Sequence, residues 1–78
     1  MQLMHFFHAL KQAQKPIVNE VSIRSFGWED DGEDGLALRV ITEDDQTILV
    51  YNTDKIIANK DREVIVVSIG ATDHEFVV

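Results

Sequence analysis

The side chains best suited to chemistry in this chain are carboxylates gathered in one short segment. Glu29, Asp30, Asp31, Glu33 and Asp34 are interleaved with Gly32 and followed by Gly35. Oxygen ligands at alternating positions, with a glycine at the sharp turn, are what a calcium loop requires. Counted from Asp30, Gly35 takes the glycine position. Gly32 then occupies a ligand position, and Ile41 stands where a bidentate glutamate is needed. The spacing fails where it matters, so no metal is expected. His5 and His8 lie one helical turn apart and His74 is the third imidazole. A zinc site needs further ligands fixed in space, so these histidines read as polar-face residues.

Nucleophilic chemistry fares no better. Ser22, Ser25 and Ser68 fall inside expected strands, and neither they nor Tyr51 sit in a nucleophile-elbow pattern. Asp73, His74 and Glu75 are consecutive, so their side chains diverge and cannot form a triad. Phosphate-cradling glycine loops and dinucleotide fingerprints are absent. The chain has no cysteine, which excludes disulfides and thiolate chemistry. The reading is a binding protein, not an enzyme, with no cofactor.

The elements that must position these residues follow from periodicity. Leu3, Phe6, Phe7, Leu10 and Ala13 recur at three- and four-residue steps and predict an amphipathic helix over 3–14, ended by Pro16. Beyond it the period shortens to two. Strands are expected over 17–27, 36–42, 47–51, 55–58, 63–69 and 74–78, with Gly27 as a bulge or strand end. Residues 55–58 also fit a single helical turn. The fold class is α+β: one N-terminal helix on a five- to six-stranded antiparallel meander, or alternatively a small curled barrel. The 78 residues suffice for a single domain, 1–78. The run Val64–Val67 is apolar on both faces and should lie centrally, covered on both sides.

Fourteen acids against seven bases give a net charge of −7. That sign opposes direct nucleic-acid binding and anionic membrane surfaces, and complements a basic protein partner. No apolar stretch reaches the ~20 residues of a bilayer span. With no signal-type segment, the expectation is a cytoplasmic protein. In a meander, alternate loops share one end of the sheet, which brings Asp54 and Asp73 to the side of the acidic loop. Phe26 and Trp28 would then act as aromatic anchors within a rim formed by Glu29, Asp30, Asp31, Glu33, Asp34, Asp54 and Asp73. The expected function is an acidic inhibitor or adaptor docking on a basic nucleic-acid-handling protein. Nucleic-acid mimicry is one form of it. In size and charge the chain is similar to small, acidic, cysteine-free bacteriophage inhibitors, a likeness that carries no motif. The rival expectation is a self-associating structural protein, a homodimer through the second sheet face at Ile41, Leu49 and Tyr51 or through an edge strand.

Overall fold

The structure, a computed structural model, describes the backbone of residues 1–78 and every side chain except that of Asp34. One helix, α1 (Leu3–Gln12), precedes seven strands. These are β1 (Ile17–Val18), β2 (Val21–Asp30), β3 (Leu36–Thr42), β4 (Thr47–Tyr51), β5 (Lys55–Asn59), β6 (Val64–Ile69) and β7 (Thr72–Val77). They form one antiparallel sheet in the order β4-β3-β2-β1-β7-β6-β5, not closed into a barrel. The helix is too short to cross a membrane, and no described helix is long and apolar enough to do so.

The α+β class holds, but seven strands replace the five or six expected, because residues 17–27 are not one strand. Asn19 and Glu20 both take positive φ, 49° and 69°, and turn the chain between the pair Val18 and Val21. Two consecutive left-handed residues match the right-handed twist of a hairpin. Asparagine tolerates that region, whereas glutamate rarely enters it, so the sequence carries no Asn-Gly signal to mark the turn. Other boundaries also move. The helix ends at Gln12, two residues early, as Ala13 adopts an extended ψ of 134°. Residues 55–59 are strand, and β7 begins at Thr72 behind a two-residue turn at Gly70 and Ala71.

The sheet cannot be flat. Its edges β4 and β5 are consecutive in the chain and joined by Asn52, Thr53 and Asp54 alone. Six strand spacings would part flat edges by about 29 Å, and four extended residue steps reach only about 14 Å. The sheet therefore folds over, and β2 supplies the corner. Ile23 pairs with Thr42 while Ser25 pairs with Ile41, so Arg24 is one residue too many in the ladder. Such a bulge bends its strand and lets it change sheets at a corner. It also brings Ile23 and Phe26, an odd number of residues apart, to the same inward side, where both pack on the core. Simple alternation puts them on opposite faces. Gly27, expected as a bulge or strand end, is neither: it pairs regularly with Arg39 in a strand that runs on to Asp30.

The helix lies in the trough so formed. Leu3, Phe6 and Leu10 are buried against Val18, Leu38, Val40, Ile48, Val50, Ile56, Ile65, Val67 and Phe76. The Phe6 ring meets Phe76 edge-on with centroids 4.8 Å apart. Each fully buried side chain of this size contributes roughly 1.5–3 kcal/mol. β6 is next to an edge strand, not central. Ile65 and Val67 enter the core, while Val66 on the outer side is half-buried beside its cross-strand partners Ile57 and Glu75. Of the Val64–Val67 run, Val64, Ile65 and Val67 are buried and Val66 is half-buried, so the run is largely covered although it is not central.

The two halves of the sheet, β1–β4 and β5–β7, join only at the pairing of β1 with β7, which spans Ile17 to Val77 and Val18 to Phe76. Asn19 extends this seam by one more rung. Its N–H donates to the Glu75 carbonyl at 2.9 Å. Its side-chain Oδ1 accepts the Glu75 N–H at 3.0 Å, and its Nδ2 lies 2.9 Å from His74 Nδ1. Because Oδ1 is taken as an acceptor, Nδ2 is the donor, and His74 Nδ1 must accept.

Candidate functional site

At the end of the fold where α1 begins, the trough is incompletely covered. A groove of about 550 Å³ runs between Gln2, Leu3 and Met4 of the helix, Trp28 of β2, Gly35 and Leu36 at the start of β3, and Asn52 after β4. Its apolar walls are open to solvent: Met4 is 52% exposed, Leu36 59% and Trp28 36%. The position of Trp28 follows from the bulge, since Trp28 shares the inward side with Phe26 and pairs across with the buried Leu38. At the rim of the trough the helix no longer covers it fully. Phe7 braces the indole from one side, with centroids 4.8 Å apart and planes tilted by 41°.

Phe26 is placed differently. Phe7 meets it edge-on at 5.9 Å and it packs against the core, so it supports the aromatic cluster from within. Lys11 sits 5.8 Å over the Phe7 ring.

The acidic segment does not present one block of charge. Strand alternation divides it. Glu29 faces outward, 3.5 Å from Arg39. Asp30 falls on the Trp28 side, opposite Leu36, and its Oδ1 accepts the Gly32 N–H at 3.1 Å. Asp31 accepts a hydrogen bond from the Tyr51 hydroxyl, which ties the loop to the end of β4. Gly32–Asp34 forms a 3-10 turn carrying the exposed Glu33. The side chain of Asp34 lies outside the described residues.

Asp54 is half-buried and shapes the β4–β5 link: its Oδ2 accepts the Tyr51 N–H at 2.8 Å, and its own N–H donates to the Tyr51 carbonyl at 3.0 Å. The Ala37–Tyr51 pairing sets this link beside the acidic loop. Asp73 is further along the sheet, on the outer side of β7, and accepts the Ser68 hydroxyl at 2.7 Å. Of the described residues expected at the site only Trp28 lines the groove; Asp30 lies beside it, across from the lining Leu36, with Asp31 and Asp54 acting as local ties behind. Glu29 and Asp73 stand apart from the groove.

Ile41, Leu49 and Tyr51 share the outer side of β3 and β4, all half-buried, with Arg39 between them as the cross-strand partner of Leu49. His5 and His8 are exposed on the helix, and among the described residues no three His, Cys, Asp or Glu side chains gather into a metal-binding set. Sequence reasoning missed Gln2, Met4, Leu36 and Asn52 as groove residues. The available signal was Met4, an apolar residue off the buried stripe of an amphipathic helix.

Comparison with protein-family models, with characterised proteins and with solved structures finds no match to this chain.

Proposed function

We propose that this chain is a protein-binding module, an adaptor or inhibitor without catalytic activity, that docks on a basic partner through the groove at Trp28. The observation that carries the reading is the exposure of Met4, Trp28 and Leu36 together at one end of a chain with net charge −7. Exposed apolar side chains rimmed by polar ones mark interaction surfaces, and aromatic anchors inside such rims dominate binding. The field of the chain favours a positively charged partner and steers its approach. Basic nucleic-acid-handling proteins are the class this charge suits. Division of the carboxylates between two faces gives less support to phosphate mimicry than to groove docking. Self-association through Ile41, Leu49 and Tyr51 also has less support, since all three are half-buried and Arg39 interrupts them.

Trp28 is the sole tryptophan, so its fluorescence reports on the groove. The test is titration with a synthetic amphipathic peptide in which leucines alternate with lysine and arginine. Binding is expected to shift Trp28 emission and to weaken from about 0.05 to about 0.3 M salt, as screening shortens the range of the charges. The variant Asp30→Asn/Asp31→Asn/Glu33→Gln should bind about 5-fold more weakly, a few tenths of a kcal/mol per exposed charge, with a flatter salt dependence. Unchanged emission on adding peptide, or equal affinity of the variant, refutes the reading.

A further inference from the structure

We infer that the side chain received by the groove is an arginine, its stem along Leu36 and Met4 and its guanidinium held between the Trp28 indole and the Asp30 carboxylate. This rests on the reading of the groove as the docking site. Trp28 and Asp30 stand two residues apart on one side of β2, and that spacing along a strand is about 7 Å. Leu36 pairs directly across from Asp30, so an apolar surface, an aromatic face and a carboxylate meet at one corner. Long cationic side chains lay their stems on apolar surface while the head group stays at a polar edge. That corner has the layout such a side chain needs.

Two further features select the guanidinium. The Gly32 N–H donates to one Asp30 oxygen and fixes the carboxylate in place; a carboxylate offers about four acceptor sites, so capacity remains for a charged donor. Phe7 backs the indole, holding its plane for stacking. A planar, weakly hydrated guanidinium stacks on an aromatic face and bonds a carboxylate at once, whereas an ammonium is a hydrated point charge. None of the described groove-lining residues is cationic, so these walls supply no competitor for Asp30. The opposite wall is the first turn of α1, which has neither an acidic residue nor a side-chain cap. Its free N–H groups suit carbonyl oxygens of the same bound segment.

The experiment uses the full chain and a set of otherwise identical peptides whose central residue is arginine, lysine or citrulline, the last being the neutral isostere of arginine. Affinity is read by calorimetry and, in chains retaining Trp28, by fluorescence. The arginine peptide should bind about 3- to 5-fold tighter than the lysine peptide and about 10-fold tighter than the citrulline peptide. Asp30→Asn keeps an acceptor for Gly32, so the fold should be retained, as circular dichroism would verify. In that variant the gap between arginine and citrulline should fall to about 2-fold, what one exposed charge carries in the field of the chain, and in Trp28→Phe the gap between arginine and lysine should narrow. Equal binding of all three peptides to the unaltered chain overturns the arginine assignment and leaves the docking groove standing. Retention of the full preference for arginine over citrulline, about 10-fold, in Asp30→Asn overturns it as well. Binding of none of the peptides overturns both readings.

Discussion

Asn19 is the residue whose replacement tests the architecture most directly, because it serves the β1–β2 turn and the β1–β7 seam together. Replacing it with alanine has two separable effects. The side-chain bonds to the Glu75 N–H and to His74 Nδ1 are lost. At so exposed a site each contributes about 0.5–1 kcal/mol, the low end for a neutral hydrogen bond. Alanine must also hold φ near 49°, which costs about 1 kcal/mol for a residue with a Cβ. The sum is about 2–3 kcal/mol for Asn19→Ala. Asn19→Gly loses the same bonds but adopts the left-handed region freely, so it should lose only about 1–2 kcal/mol. In a domain of this size 1 kcal/mol moves Tm by roughly 4–8 °C. Thermal denaturation followed by circular dichroism should rank the three chains as asparagine, glycine, alanine, with glycine near the middle. An alanine variant as stable as the parent would show that the clamp contributes nothing. A glycine variant no better than alanine would show that the turn is not strained as described.

Further outcomes follow from the same geometry. Glu20 holds φ 69° without the tolerance of asparagine, so Glu20→Gly should raise stability by up to about 1 kcal/mol, read as a higher urea midpoint at unchanged slope; a lower midpoint would contradict it. Phe7→Ala removes the ring that braces Trp28 and covers Phe26. It should shift Trp28 emission to the red and cost roughly 2–4 kcal/mol, less than a fully enclosed phenylalanine would; unchanged emission would show that Phe7 does not shield the indole.

The helix and the β3–β4 hairpin were legible because each repeats one period without interruption: Leu3, Phe6 and Leu10 on one side of a helix, Leu36 to Tyr51 alternating about a polar turn. What was hidden lies in β1 and β2, and for identifiable reasons. A left-handed pair usually announces itself through glycine, and here glutamate stands in the second position. A bulge resets alternation without leaving a mark in composition, so a regular two-residue period puts Phe26 on the wrong side relative to Ile23. That single slip mattered for the site. It decides that Trp28 and Asp30 face the helix end while Glu29 and Asp31 face away, and periodicity alone cannot show it. The acidic loop was visible from composition; its division between two sides was not. Met4 and Leu36 became groove residues only through the pairing of β3 with β2 and the seating of the helix over the trough.

The β1–β7 seam also has a kinetic meaning. Every other strand pairing joins neighbours in the chain through a short turn, so each can form locally and quickly. The seam alone joins Ile17 to Val77, closing a loop of about three quarters of the chain, and contacts so distant in sequence slow folding. Two hairpin-built halves should therefore assemble early and wait on one narrow closure, with the rate of folding set by a strand of two residues.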